Sequence, residues 1–366
     1  MVEIKNSNMV MRSVSVNVLK GNEIIAKDII SESGIILMSE GTVVKKEYIS
    51  KLIELGITNI FIKDEIAEGI KVDELIEIKI KEQCQETVKE TIEKYFFSDS
   101  SELEKLKIVA DEIILDILSE PEIMFNISGV RKKNGNVYSH SVNVCALSVL
   151  LALKLKLSKD KIRDIAVGSL LHDIGINYVN FNLENESYES IYSDENKIKE
   201  LKKHVIYGYT SVEKETWLSA VAKDIILSHH ERIDGSGYPF RLKGNKIKIG
   251  SKIVGLCDEF DHLVYGLYSK KMKVYKAIDY ILSQSGEKFD YEIVKFFNES
   301  VAAYPTGSTV ITSDKDVAVV LRQNAKCPTR PVIRLIMDSV GNYYSDWIEV
   351  DLTKELTLFI EDTKDI

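Results

Sequence analysis

All six histidines of this 366-residue chain lie between His140 and His262. With two aspartates of the same segment, five of them form a set of possible metal ligands: His140, His172, Asp173, His204, His229, His230 and Asp258. Neutral imidazoles and carboxylates are the side chains that hold zinc, manganese or iron in proteins. The set is large enough for a site of two metal ions.

No member of this set is specific alone, because His-Asp and His-His pairs are common on protein surfaces. Adjacent helical residues point about 100° apart, so His172 and Asp173 can contact one metal only beside a helix end. At such a position Asp173 can also bridge to a second ion. Asp258 ends the apolar run 253–258, where an unpaired carboxylate would be costly and a metal would satisfy it. The joint pattern therefore predicts a two-metal site.

Helices are predicted to position these ligands, because the apolar spacing is helical almost throughout residues 119–300. His172 and His229 are each predicted at the end of a helix, and His140 and His204 near the start of one. The run Gly-Ser-Gly-Tyr-Pro at 235–239 follows the paired histidines. Its glycines allow backbone conformations closed to other residues, so a tight loop is expected beside the site.

The flanking regions have other patterns. Residues 1–68 alternate with period two in short runs around one helical stretch, which predicts a small α/β domain. Residues 69–118 predict a helical connector, either a packed helix pair or a dimerisation surface. Its start is ambiguous, because Ile76, Ile78 and Ile80 alternate with charged residues as a strand would.

Past Pro305 the pattern changes again. Residues 301–366 predict a β-rich module, since short β-branched or apolar runs alternate with turn residues, at 309–312, 317–321, 332–337 and 356–360. The predicted fold class is therefore multidomain α+β. An all-α domain over residues 119–300 carries the chemistry, and a small α/β unit and a β-rich module flank it.

Composition and charge limit the partners and the cellular location that can be expected for this protein. A net charge of -9 gives no basic face for a DNA or RNA polymer. Four widely separated cysteines without a CxxC pair predict reduced thiols and a cytoplasmic protein. No segment reaches the roughly 20 apolar residues of a membrane span, since the longest candidate, 142–155, is interrupted by Asn143 and Lys154. The N-terminus lacks a signal-peptide core, and no membrane insertion is expected.

The motifs resemble those of the HD-GYP family of HD-domain phosphohydrolases. The resemblance covers about residues 130–300 and rests on three runs: His172-Asp173-Ile174-Gly175, His229-His230-Glu231-Arg232 and Asp234-Gly235-Ser236-Gly237-Tyr238-Pro239. It implies an all-α HD-type domain with two divalent metal ions, iron or alternatively manganese. It also implies hydrolysis of cyclic di-GMP to the linear dinucleotide, to GMP, or to both.

The resemblance further implies roles for individual residues. One ion would be held by His140, His172, Asp173 and Asp258, and the other by His204, His229 and His230, with Asp173 bridging. Two cations about 3.5–4 Å apart would activate a hydroxide for in-line attack on phosphorus, with His172 and Asp173 at the catalytic centre. Substrate contacts are predicted for Tyr238, Arg232, Lys243, Lys270 and Lys271. Packing remains an alternative for Tyr238, and an ion pair for Arg232 and Lys243.

The chain departs from the family pattern at four positions. Active members carry Lys directly after His-Asp-Ile-Gly, but Ile176 stands here, and the loss of one charged donor would remove roughly 2–4 kcal/mol of transition-state stabilisation. Leu267 stands where the family usually has Arg. Asn136 replaces a Glu found in members with a third metal, so two ions are expected. His262 is an extra histidine beside Asp261, for which an ordinary helix-surface or core position is preferred over a new site contact.

Three functions remain open. The first is a cyclic di-GMP phosphodiesterase, with activity reduced because of Ile176 and Leu267. The second is a non-catalytic, metal-containing cyclic di-GMP receptor or interaction module. The third is an HD-type hydrolase of another phosphoester. The expected partners are a cyclic dinucleotide and, as further possibilities, a second copy of the chain or a signalling partner.

Overall fold

The computed structural model of the chain describes residues 12–16, 19–30, 36–55, 57, 59–63, 78–98, 101–119, 124–125, 137–181, 183, 186, 188–266 and 270–364. The chain forms two compact units. One comprises Met1–Glu74, Ile123–Asn134 and Val301–Ile366, and the other comprises Leu75–Glu122 and Gly135–Ser300. The finer division into four domains remains a prediction.

The first unit begins with a small α/β region. Its elements are β1 (Arg12–Ser15), β2 (Ile24–Ile25), β3 (Ile29–Ile30), β4 (Ile36–Met38), α1 (Lys46–Glu54) and β5 (Asn59–Lys63). The strands β1, β5 and β2 form an antiparallel sheet in that order, and β3 pairs with β4. Buried aliphatic side chains such as Ile25, Leu52 and Ile60 form its core.

The same unit ends with a five-stranded antiparallel sheet in the order β10-β6-β7-β8-β9. Its strands are β6 (Thr309–Thr312), β7 (Val317–Arg322), β8 (Val332–Met337), β9 (Tyr343–Asp351) and β10 (Ile360–Thr363). The sequence pattern missed β9, because this edge strand is largely exposed and lacks apolar alternation. The run predicted at 356–360 was also misplaced, since β10 begins only at Ile360.

The second unit is helical. Its helices are α2 (Ile78–Ser98), α3 (Leu106–Ser119), α4 (Val137–Lys154), α5 (Lys159–Leu171), α6 (Tyr188–Tyr192), α7 (Glu195–Leu201), α8 (His204–Val212), α9 (Ala220–Ser228), α10 (Ile249–Tyr265), α11 (Val274–Ser283) and α12 (Tyr291–Ser300). In the described part of this unit, three short 3-10 helices accompany them, at Ser101–Lys105, Ile174–Tyr178 and Gly244–Lys246. The predicted α+β fold class is confirmed.

Helix α4 forms the centre of this unit and packs against α2, α3, α5, α10 and α12. It is the one helix of the described residues that is long and apolar enough to cross a membrane, which corrects the sequence-based statement that no such segment exists. Within the fold, 72% of that segment is buried. Packing against five other helices is the local role of its apolar side chains.

The two helices that precede α4 pack on it and on each other. Helix α2 begins at Ile78, so the alternation of Ile78 and Ile80 belongs to a helix and the strand alternative is wrong. Ile76 lies outside the described residues. The packed helix pair is therefore the arrangement that the structure has for α2 and α3.

Candidate metal centre

Helix ends place most of the proposed ligands. His140 lies in the first turn of α4, and His204 is the first residue of α8. His172 and His229 are the capping residues at the C-terminal ends of α5 and α9. Asp173 follows at the start of the 3-10 helix. These helix positions are the predicted ones.

Asp258 comes from the middle of α10 and reaches the same place because α10 packs closely on α9. The approach depends on Gly255, one turn before Asp258. A Cβ atom at this position would lie 2.1 Å from the carbonyl oxygen of His229. Any larger side chain would therefore push the carboxylate of Asp258 away from the histidines.

The first ligand set consists of His140, His172 and Asp258, whose ligand atoms lie within 4.8 Å of one another. The Nε2 atoms of His140 and His172 are 3.1 Å apart. Asp258 Oδ1 lies 3.2 Å from Nε2 of His140 and 3.6 Å from Nε2 of His172. All three side chains are buried.

The second set consists of Asp173, His204, His229 and His230, again within 4.8 Å of one another. Asp173 faces both sets. Its Oδ1 lies 3.3 Å from Nε2 of His204, and its Oδ2 lies 3.6 Å from Nε2 of His172. The two carboxylate oxygens of Asp173 thus point to different sets, as a bridging ligand requires.

Hydrogen bonds orient the imidazole rings. Carbonyl oxygens only accept, so the Nδ1 atoms of three histidines must donate: His172 to Ser169 O at 2.7 Å, His204 to Leu201 O at 2.7 Å and His229 to Ile225 O at 3.0 Å. Nδ1 of His140 lies 2.7 Å from Oδ2 of Asp261, also a buried residue. Each Nε2 atom is left to present its lone pair to the centre of the site, the arrangement typical of metal-binding histidines.

These contacts fit a bound cation. The inward Nε2 atoms of His140 and His172 face each other at 3.1 Å, which is unfavourable for two lone pairs without a proton or metal between them. Within the described part of the chain, Oδ2 of Asp173 and both carboxylate oxygens of Asp258 accept no hydrogen bond although they are buried. Buried charged oxygens without partners are costly, and divalent cations would satisfy all of them.

Burial and the neighbouring charges together set the pKa values of the ligand side chains in the metal-free protein. Burial lowers the pKa of His229 to about 3, with the neighbouring His172 adding to the effect, and burial likewise lowers the pKa of His230. Burial opposes the charged form of His140 too, but the carboxylates of Asp258 and Asp261 outweigh it and raise its pKa to about 10. Burial would raise the pKa of Asp173, but the surrounding histidines lower it to about 2.

The loop at 235–239 packs directly on this site. The ring of Tyr238 stacks on that of His230 with centroids 4.7 Å apart, and its backbone N–H donates to the carbonyl of His230. Glu231 holds the far side of the loop, because its carboxylate accepts from the backbone of Phe240 at 2.7 Å and of Leu242 at 2.8 Å. The loop therefore fixes the ring of His230 and seats Tyr238 beside it.

Of the predicted substrate contacts, some line the cavity beside the metal ligands and others do not. Tyr238 and Arg232 line the cavity described below, but the guanidinium of Arg232 donates to the carbonyl of His229 and to Glu259 at 2.9 Å. Lys243, Lys270 and Lys271 are exposed and are not among the described residues that line that cavity. Leu267 and Asn136 lie outside the described residues.

A cavity of about 480 Å³ opens onto the second ligand set, since Asp173, His204 and His230 form part of its wall. This volume is within the usual range for small-molecule sites, roughly 300–1,000 Å³. Ile176 also faces it. The remaining wall includes side chains that the sequence analysis did not single out: Tyr192, Lys202, Tyr280 and Lys288. Only Lys202 had a usable sequence signal, its position two residues before His204.

His262 lies on α10, largely buried, and one of its ring nitrogens lies within 4.8 Å of ligand atoms of His140 and Asp173. Its ring stacks on His140 with centroids 4.5 Å apart and planes at 10°, and its Nδ1 lies 3.6 Å from Oδ1 of Asp258. Imidazole lone pairs lie in the ring plane, so two parallel rings cannot both point at one ion. His262 therefore packs against the site in this geometry and is not counted as a ligand.

Comparison with known proteins identifies the helical region. A family model described as an HD domain matches residues 126–293. Residues 126–293 of this chain are an HD domain. A second model, described as a KOW domain associated with HD domains, matches residues 309–365 of the HD-domain protein, which include most of the β-rich region. The predicted HD-type domain is confirmed.

Relatives of this HD-domain protein include two bacterial proteins with named activities. Cyclic di-GMP phosphodiesterase PA4108 of Pseudomonas aeruginosa is 28% identical over 63% of this chain and 55% of its own length. The 3'3'-cGAMP-specific phosphodiesterase 2 of Vibrio cholerae is 26% identical over 62% of this chain and 43% of its own length. The chain spans about half the length of these relatives. Among solved structures, Bd1817, an HDG"Y"P protein from Bdellovibrio bacteriovorus, covers 79% of this chain and 98% of its own, with 19% identity and a TM-score of 0.48.

Proposed function

We propose that this HD-domain protein is a metal-dependent phosphodiesterase that hydrolyses a cyclic dinucleotide, with cyclic di-GMP as the first candidate. The observation that carries the proposal is the pair of adjacent ligand sets, with Asp173 facing both of them at the wall of a cavity. The names of the relatives from Pseudomonas and Vibrio agree in the reaction and differ in the dinucleotide. The substrate class is therefore better supported than the identity of the bases.

The residues of the site have distinct tasks in this proposal. His140, His172 and Asp258 would hold one divalent ion, His204, His229 and His230 would hold the other, and Asp173 would contribute to both. When bound, such ions lower the pKa of a water molecule towards neutrality and stabilise negative charge on the phosphoryl oxygens. Asp261 keeps the Nδ1 proton on His140, so that Nε2 remains a ligand atom.

Tyr238 has a separate task at the substrate side. Its ring is fixed against His230 and its residue lines the cavity. Its hydroxyl makes no hydrogen bond to any residue in the described ranges, and burial raises its pKa well above the ordinary value, so it stays protonated. We assign it as a neutral donor to a substrate oxygen.

Iron is the preferred metal with manganese as the alternative, and the end product and a cytoplasmic location remain predictions.

A second candidate is a receptor that binds the dinucleotide without hydrolysing it. The observation in its favour is Ile176, which presents an apolar side chain to the cavity where a lysine would donate to phosphate. A receptor would retain the metal ligands and the cavity but would have lost part of the charge that stabilises the transition state.

The test is hydrolysis by protein loaded anaerobically with Fe(II) or Mn(II). The substrates are cyclic di-GMP, 3'3'-cGAMP and bis(p-nitrophenyl) phosphate, which contains a single phosphodiester. The double variant His172→Ala/Asp173→Ala serves as the inactive control, and Asp279→Ala, on the exposed face of α11, controls for the loss of a carboxylate elsewhere. We expect turnover of a cyclic dinucleotide by the wild type and by Asp279→Ala only.

Other outcomes separate the alternatives. Binding of a cyclic dinucleotide without turnover, with two metal ions per chain, would refute the enzyme and support the receptor. Hydrolysis of bis(p-nitrophenyl) phosphate alone would support an HD-type hydrolase of another phosphoester. Equal turnover by the wild type and the double variant would show that the activity does not come from this site.

A further inference from the structure

The cavity beside the metal centre carries three cationic side chains, Lys202, Arg232 and Lys288. Arg232 is already committed to protein partners, because its guanidinium bonds to two backbone carbonyls and to Glu259 and lies over the ring of Phe289. Neither lysine forms an ion pair with a carboxylate of the described residues, and the hydrogen-bond contact of Lys288 is a long one, 3.5 Å to the hydroxyl of Tyr280. They are the cations of this wall that a ligand can use.

Lys202 differs from the lysines around it. Three neighbours of the same segment each form an ion pair: Lys197 with Glu186 at 2.7 Å, Lys199 with Glu195 at 3.4 Å and Lys203 with Glu200 at 2.8 Å. In the described part of the chain no carboxylate lies within the 4.0 Å ion-pair distance of Lys202. Its Nζ instead lies 5.4 Å from the ring centroid of Tyr238.

Lys288 repeats this arrangement elsewhere in the same wall. Its Nζ lies 5.8 Å from the ring centroid of Tyr280 and 3.5 Å from the hydroxyl of Tyr280, and both residues face the cavity. No carboxylate of the described ranges comes within 4.0 Å of it. The cavity therefore contains two lysine–tyrosine pairs whose ammonium groups have no carboxylate of the described ranges within 4.0 Å.

The two pairs differ in their relation to the metal ligands. Tyr238 stacks on His230, and Lys202 is two residues from His204, so the first pair adjoins the metal centre. Lys288 and Tyr280 have no ring or ion-pair contact with the ligand sets in the described structure, and the backbone of Lys288 bonds to Ile233. Unpaired ammonium groups beside a site for divalent cations repel those cations. An anionic ligand with charge at two places would relieve that repulsion.

We propose that Lys202 binds the phosphodiester that reacts at the metal centre, and that Lys288 binds the second phosphodiester of the same cyclic dinucleotide. This inference rests on the proposed function and extends it to the phosphate-binding residues. A cyclic dinucleotide has two phosphodiesters in one ring, which matches two cations at different distances from the metals. Lys202 then supplies the positive charge that Ile176 cannot.

The test compares Lys202→Met and Lys288→Met, which remove the charge but keep most of the side-chain volume. Lys276→Met is the matched control, because Lys276 lies 5.8 Å from the ring of Tyr275 on α11 but does not line the cavity. Steady-state kcat and KM are measured on cyclic di-GMP and on bis(p-nitrophenyl) phosphate, which has only one phosphodiester. Metal content is measured for every variant.

We expect Lys202→Met to lower kcat/KM about 10- to 100-fold on both substrates, the usual effect of losing one charged hydrogen bond. Lys288→Met is expected to raise KM about tenfold more for cyclic di-GMP than for bis(p-nitrophenyl) phosphate. Equal effects of Lys288→Met on the two substrates would overturn the assignment of the second phosphate. Lys202→Met kinetics equal to those of Lys276→Met would overturn the assignment of the first.

The two lysine assignments can still be tested if the wild type binds cyclic di-GMP without hydrolysing it. The proposed enzyme would then be wrong, but isothermal titration calorimetry would still have to show about tenfold weaker binding for each lysine variant than for Lys276→Met. Unchanged binding would refute the lysine assignments on their own. A wild type that neither binds nor hydrolyses any of the substrates would refute both proposals.

Discussion

The hydrogen bond from His140 to Asp261 offers a direct test of the metal centre. The substitution Asp261→Asn removes a negative charge 2.7 Å from Nδ1 of His140 and keeps an oxygen that can accept the same proton. Asparagine is close to aspartate in size, so the packing of this buried position is retained. The variant therefore isolates the charge of the carboxylate from its shape.

The expected effect follows from the position of Asp261 behind a ligand. Loss of such an outer partner typically weakens metal binding about 10- to 100-fold, or about 1.4–2.7 kcal/mol. Asp261 also contributes to raising the pKa of His140 to about 10, so its removal eases the competition between proton and metal. The loss of affinity is therefore expected to be smaller near neutral pH and to grow as the pH rises.

The assay is a competitive titration of Mn(II) between the protein and a chelator of known affinity, repeated across pH. Asp279→Asn makes the same chemical change on the exposed surface of α11 and serves as the control. An affinity of Asp261→Asn within twofold of the wild type at every pH would refute the reasoning. So would an equal loss in Asp279→Asn, because the effect would then be unrelated to His140.

Three further results are expected. Metal-free His140 has a pKa of about 10 and therefore holds a proton that the metal must displace. The apparent Mn(II) affinity, measured by the same titration, should rise about tenfold per pH unit below that pKa. An affinity that does not change with pH would contradict this. Gly255→Ala places a methyl group 2.1 Å from the carbonyl oxygen of His229 and is expected to lower both the thermal midpoint and the metal content, measured by calorimetry and elemental analysis. Ile176→Lys adds a donor to the cavity wall and is expected to raise turnover of cyclic di-GMP up to about 10²-fold; no gain in a variant with normal metal content would count against a weakened enzyme.

Residue types and spacing were sufficient to predict that these histidines and aspartates come together and where most of them lie on helices. Imidazole and carboxylate groups have few other reasons to recur in apolar contexts, so the pattern from His140 to Asp258 pointed to one chemistry. The helical spacing of residues 119–300 was equally informative, because an apolar face has to be buried. Strand β9 was not predicted, because an exposed edge strand buries no apolar face and so needs no apolar alternation.

The substrate side of the cavity was decided by tertiary structure. Lys243, Lys270 and Lys271 follow the predicted ligands in sequence, but the described cavity wall contains Lys202 and Lys288 instead. A lysine on a helix or loop has the same local pattern whether it faces solvent, a carboxylate or a ligand. Its role depends on what neighbouring elements bring within a few ångströms, and that information is not local in the chain. The sequence by itself therefore determined which groups have the chemistry to bind metals, and only the packing of α7, α11 and the loop at 235–239 around them decided which charges line the cavity.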